Sequence, residues 1–284
     1  MKKQVILIGA GIILIIALFF GGSTIAPSKP IIPLKSSAIQ AFDIQQYILD
    51  SKQQLSPSQA IYLSQLENNI TRGDLPKQKI EAQTAIANFW KDSVQLFEPY
   101  AFYISMAAKL DNSEKNLTFA AQLILNNLRS EHDEAKLNWQ TTEAIDLFEK
   151  AIALNPDNDD ARIGLGSCYI FGKGKTGDPQ QTMKGILELL SVVRKDSMNM
   201  KAQMMLGVGG YVSGQYDKAI ARLTKVVTQE PDNLEAMAFL ADTYAASGNK
   251  IEAIKWYQIS KRLANNAAYS KEVEERIKSL EKEQ

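Results

Sequence analysis

The phrase EPDNLEAMAFLADTYAASGN, residues 230–249, has an echo at residues 155–172, NPDNDDARIGLGSCYIFG. Small residues keep the same time in both. Ala236 and Ala241 stand five and ten residues after Pro231, and Ala161 and Gly166 stand five and ten after Pro156. Ala202 and Gly207 share the five-residue step in NMKAQMMLGVGG. Gly207 lies 34 residues before Ala241, and Gly166 lies 41 before Gly207. A period near 34 residues in a helical chain marks stacked helix–turn–helix units, none of which can bury its apolar face alone. Such a chain builds an extended surface by repetition, with each unit touching only its neighbours.

The residue types suit that architecture. Gly166, Gly207, Ala219, Ala241 and Ala253 let helix axes approach closely while larger side chains fill the seams. Proline ends a helix because it cannot continue the hydrogen-bond ladder. Asp232, with Glu235 three residues on, is predicted to cap the following helix as a capping-box pair. The recurring PDN is thus punctuation between helices. A calcium-loop reading of residues 157–160 fails, since the glycine and distal glutamate of that motif are missing.

These spacings resemble the tetratricopeptide repeat (TPR). Leu206, Gly207, Gly214, Tyr216, Ala219, Leu223, Val226 and Pro231 fall at the family's positions in one unit. Leu240, Ala241, Tyr244, Gly248, Ala253, Tyr257 and Ser260 do so in the next, which ends in Asn265 where the family has proline. In TTEAIDLFEKAIALNP, Ala144, Phe148, Ala151 and Pro156 match a second helix and its stop. The unit from Asp159 has Leu165, Gly166 and Tyr169, then seven extra residues in a Gly-rich stretch, which is similar to the related Sel1-like repeat. The resemblance implies an all-α, right-handed solenoid of antiparallel helix hairpins, with repeats over residues 131–265. Tyr269, Val273, Ile277 and Leu280 place one apolar stripe on a polar helix, predicting a capping helix over residues 266–284.

Residues 38–130 also show apolar spacing of three and four, and are read as degenerate TPR-like hairpins. Ser56 and Pro76 are predicted helix starts. The segment EKNLTFAAQLILNNL is predicted to pair with a helix beginning at Tyr100, because Ala108 and Ala120 keep the family's twelve-residue step. Separate membrane-proximal helical packing is the alternative.

At the N-terminus, residues 1–4 carry Lys2 and Lys3. Residues 5–22 form an uncharged run of 18 residues, close to the ~20 that span a bilayer as a helix. Residues 23–37, with Pro27, Pro30 and Pro33, read as a semi-rigid tether. The run is long for a cleaved signal peptide, and Thr24-Ile25-Ala26 is a poor cleavage site, so an uncleaved signal anchor is expected. A soluble form released by cleavage is the alternative. The two lysines place residues 1–4 in the cytoplasm and the repeats outside, in the periplasm of a bacterium.

Chemistry-bearing residues are scarce. Cys168 and His132 are the sole cysteine and histidine, so a zinc site built from several such ligands within one chain is excluded. His132, in the polar RSEHDEAK, has a predicted helical, exposed setting that suits no catalytic base. The balance of 32 basic and 32 acidic residues argues against broad nucleic-acid binding, which needs clustered cations. No phosphate loop or nucleophile turn is present. A hydrolase using Asp159 and Asp160, or Glu272, Glu274 and Glu275, is the enzymatic alternative to a scaffold. Neither a cofactor nor a small-molecule substrate is expected.

By the resemblance, the first helix of each hairpin lines a concave surface that takes a protein or peptide partner. That places Ile163, Ser167, Ile170 and Phe171 on it, then Lys201, Met204, Val208, Tyr211 and Val212, then Glu235, Ala238, Asp242, Ala245 and Ala246. Its middle is apolar and Met-rich, which suits an accommodating binding surface. The same residues could instead pack against the chain's own preceding hairpins or N-terminal helices. Only Lys201 matches the basic, asparagine-rich clamp by which some TPRs hold a C-terminal carboxylate, so that binding mode is not expected.

Overall fold

The computed structural model describes residues 41–72, 75–176 and 179–282. The transmembrane anchor expected over residues 5–22 and the tether over residues 23–37 lie outside them. Among the described residues there are 13 α-helices and no strand, and no helix is long and apolar enough to cross a membrane.

The helices are α1 (Ile44–Lys52), α2 (Pro57–Arg72), α3 (Pro76–Asn88), α4 (Phe97–Asp111), α5 (Glu114–Leu128), α6 (Glu134–Leu154) and α7 (Asp159–Phe171). They continue with α8 (Pro179–Lys195), α9 (Met200–Val212), α10 (Tyr216–Gln229), α11 (Leu234–Ala246), α12 (Lys250–Ala264) and α13 (Ala267–Lys282). The closest pairings are α3 with α4, α5 with α6, α7 with α8, α9 with α10 and α11 with α12, while α13 packs on α12. This is a TPR-like solenoid of helix hairpins. Its apolar interior is a series of linked clusters: Leu117, Ile124, Leu147 and Phe148 in one, Ile170, Leu189 and Val208 in the next, then Leu223, Val226 and Leu240.

Two expectations are corrected here. The helix α5 pairs chiefly with α6 and packs less extensively on α4, and α4 starts at Phe97, ahead of Tyr100. The predicted boundary between residues 130 and 131 therefore cuts one hairpin at its turn. His132 sits in that turn, exposed and outside any helix.

The caps also differ from expectation by one residue. Asn233, not Asp232, accepts the backbone N–H of Ala236 at 2.9 Å. Asn158 and Asn199 cap α7 and α9 the same way, through Ala161 and Ala202 at 2.8 and 3.0 Å. Asn249 does so for α12. Each cap satisfies one of the orphan donors at a helix start. Ser56 and Pro76 stand where predicted: Ser56 and Gln59 form a reciprocal capping box at α2, and Pro76 opens α3.

Glycine is required at two kinds of place. Gly214 and Gly248 turn the chain between paired helices with φ of +73° and +84°, where a Cβ would be strained. Gly166 and Gly185 let α7 and α8 touch: a Cβ on Gly185 would lie 2.6 Å from the Gly166 carbonyl oxygen. The extra residues after Gly172 form a short 3₁₀ turn, Lys173–Thr176, packed on α7 and α8, from which Lys173 Nζ donates to Asn138 Oδ1 of α6 at 2.6 Å.

The N-terminal region is built differently. After α3 the helix widens into a π-helical turn, Phe89–Val94, that ends at Gln95 with φ of +61°. Trp90 is fully buried there among Ile48, Leu63, Leu66, Ile86 and Phe89. Burial pushes the Tyr103 hydroxyl up to about 12, with help from nearby Glu67. Buried Glu98 meets Lys136 Nζ at 2.6 Å, and the same ammonium lies 4.9 Å from the Tyr47 ring centre. Large rings and a desolvated ion pair thus join α1, α4 and α6, where small residues join the later hairpins.

Candidate functional site

The first helices of successive hairpins, α5, α7, α9 and α11, line a common groove of about 580 Å³. Repetition explains most of the arrangement: α7, α9 and α11 each start at an asparagine cap, while Ser113 caps α5 through the Asn116 N–H at 3.4 Å, so first-helix faces fall side by side. The face of α5 presents Lys115, Thr118, Phe119, Gln122, Asn126 and Arg129, a run of three- and four-residue steps that shares one side of a helix. Opposite it stand Ile163, Ser167 and Phe171 from α7, Met204 and Met205 from α9, and Glu235 from α11.

The predicted groove residues divide. Ile163, Phe171, Lys201 and Met204 line it. Ile170 and Val208 do not; they are 1% and 0% exposed in the cluster between α7, α8 and α9. Tyr211 is half-buried and packs its ring towards Tyr216 and Phe239, and burial followed by the charge of Asp242 pushes its hydroxyl pKa up. Val212 is exposed at the end of α9, outside this groove. Asp242 is taken by the chain itself, accepting from Tyr257 and from Arg276 of α13. Arg276 of α13 thus reaches back to the helix α11 that carries Asp242. Ile170 and Val208 are thus buried between hairpins, and Asp242 is engaged by the helices that follow it.

Sequence reasoning missed the whole wall supplied by α5. Phe119 is 58% exposed, the most open large apolar side chain in the groove. Arg129, at the end of α5, lies 4.9 Å from the Phe171 ring centre and pairs with Glu235 at the start of α11. That pair bridges the groove between two helices separated by two complete hairpins. Burial pushes the Arg129 pKa down. Lys201 pairs with Asp160 at 3.2 Å, both ends open to water; such a contact is worth about 0–1 kcal/mol. The missed signal was the i, i+4 pair Lys115 and Phe119, legible once α5 is assigned as a first helix.

Four of the five carboxylates considered for hydrolysis pair with cations. Asp159 pairs with Lys195, Asp160 with Lys201, Glu272 with Arg276 and Glu274 with Lys261. No group of three or more His, Cys, Asp or Glu that could hold a metal occurs among the described residues. Cys168 is fully buried, which pushes its thiol pKa up.

A solenoid of helix hairpins with a shared groove defines a class of repeat scaffolds. The model of the tetratricopeptide repeat family matches residues 140–173 and 213–271, which are similar to that repeat. The fold is also that of solved TPR structures. A thermophilic TPR protein from Thermus thermophilus shares 16% identity at a TM-score of 0.53, covering 71% of this chain and 98% of that one. A tetratricopeptide repeat protein from Parabacteroides merdae shares 12% identity at a TM-score of 0.51, covering 84% of this chain and 93% of that one. No curated protein matches the sequence.

Proposed function

We propose that the chain is a scaffold, not an enzyme: a right-handed TPR solenoid, with a Sel1-like variant unit from Asp159, that is anchored in the bacterial inner membrane and displayed in the periplasm. It holds a protein or peptide partner during assembly, secretion or quality control of envelope proteins. One observation carries the reading. The groove combines an open aromatic, Phe119, with half-exposed Phe171 and the edges of Ile163, Met204 and Met205, the mixture of open and yielding apolar surface that takes a peptide. The anchor and compartment rest on sequence: the uncharged run Val5–Gly22 behind Lys2 and Lys3 has the length and flanking charge of a signal anchor.

Membrane fractionation, with intact mass of the recovered protein, tests the anchor. Residues 1–22 should remain on a chain that pellets with membranes through an alkaline wash. A soluble chain beginning just after Ala26 would contradict anchoring and establish the cleaved, soluble periplasmic form. Crosslinking in intact cells before purification tests the scaffold: a defined partner should copurify in constant proportion, and recovery of the chain alone would count against it.

A further inference from the structure

The charges around the groove are not balanced, and the imbalance specifies a ligand. Three cations line it, Lys115, Arg129 and Lys201, against two carboxylates, Asp160 and Glu235. Lys201 is engaged with Asp160, and Arg129 with Glu235. Lys115 is left over. It is exposed and makes no ion pair among the described residues. It stands one helical turn before Phe119, on the same face of α5. An open aromatic ring therefore sits beside an ammonium group without an ion pair at the mouth of the groove, while the preceding carboxylate, Glu114, accepts from Asn158 and Thr118.

On this basis, and resting on the reading of the groove as a peptide site, we infer that the occupant is a peptide segment with an apolar anchor followed or preceded within a turn by an acidic residue. The anchor packs on Phe119, Ile163 and Met204, and the carboxylate meets Lys115. This is an internal acidic–apolar segment. Its selectivity comes from one lysine at the groove's edge, so it does not require a free chain terminus. Because the contact is at the rim, it acts more on encounter and discrimination than on total affinity, and it weakens with salt.

The test uses the full chain and three fluorescent synthetic peptides with identical Leu and Phe anchors at helical spacing, flanked by glutamate, glutamine or lysine. Fluorescence anisotropy at low ionic strength should rank them glutamate, glutamine, lysine, with about five-fold between neighbours, the size of one rim ion pair. Raising salt should collapse the ranking while leaving anchor-dependent binding in place. Lys115→Glu should reverse the order, and Phe119→Ala should weaken all three peptides about equally. Both positions are exposed, and circular dichroism of each variant verifies the fold. Equal binding of all three peptides would overturn the acidic preference and leave the peptide groove standing. No binding by any of them would overturn both. An unchanged ranking in Lys115→Glu, or unchanged affinity in Phe119→Ala, would place binding elsewhere and overturn the inference. Sedimentation showing that a second copy of the chain fills the groove, blocking the peptides until diluted, would overturn it as well.

Discussion

The hairpins from α7 to α12 and the helices from α1 to α4 solve the same packing problem in different ways. In the later region each first helix begins at an asparagine cap, and small residues bring the axes together: Gly166 against Gly185, Gly207 against Leu223 and Ala253 in the cluster around Ala241. In the earlier region there is no such repeated cap. A π-helical turn carries Phe89 and Trp90 into the core, edge to face at 5.5 Å, and Tyr62 meets Phe89 at 6.0 Å. Repetition with small residues gives interchangeable units and a continuous face. Aromatic bulk gives a singular unit at the start of the described array, and α13 packs on the other end with Val273, Tyr269 and Ile277. The terminal units of a solenoid lack a neighbour on one side.

The largest expected effect probes the aromatic unit. Trp90→Ala removes a fully buried indole and should cost about 3–5 kcal/mol in urea unfolding. If the two regions are nearest-neighbour units, the loss of hydrogen-exchange protection should stay within α1–α4. Cys168 supplies an independent report from the repeats, since burial keeps the native thiol protonated and out of reach. Its labelling by a thiol reagent should be as slow in Trp90→Ala as in the parent; fast labelling would mean the two regions unfold together.

Next in size is overpacking of a repeat. A Cβ on Gly207 would stand 2.6 Å from Leu223 Cγ, which is itself fully buried. Gly207→Val should therefore cost about 1–3 kcal/mol, with exchange rising in α9 and α10 and unchanged in α1–α4. The smallest effect distinguishes adjacent residues of the PDN phrase. Asn233→Ala should lose about 1 kcal/mol with its cap, while exposed Asp232→Ala stays within about 0.5 kcal/mol. Equal losses at both positions would show that the cap is shared, contrary to the geometry.

The repeats were legible because their signals are local and redundant: glycine, alanine and proline at fixed steps each have one physical reason to be there. The cap was misplaced by one residue because Asp and Asn both cap well, and only the backbone conformation decides which side chain reaches the third N–H. The pairing of α5 was missed for a different reason. Ala108 and Ala120 keep the repeat's step by coincidence of two neighbouring hairpins, and α6, at 21 residues, hides the turn at His132 in a polar stretch that reads as helix. Assigning α5 as a second helix turned its outer face away from the groove, so Phe119 and Arg129 were never candidates. Ile170 and Val208 were overcalled because position along a first helix does not reveal where the next hairpin overlaps it. Apolar residues at those steps serve the seam between units, and only the pairing of hairpins separates seam from surface.

The central claim is that the face formed by α5, α7, α9 and α11 is the working surface, and that the opposite side is not. It is tested most directly by placing a photocrosslinking amino acid in the full chain in cells, once in place of Phe119 and once in place of Leu187 on α8. Both side chains are well exposed, 58% and 55%, so exposure alone does not bias the comparison. The account predicts a discrete crosslinked partner band from position 119, weakened by Lys115→Glu, and none from position 187. A band of equal strength from both positions, or from 187 alone, would contradict it.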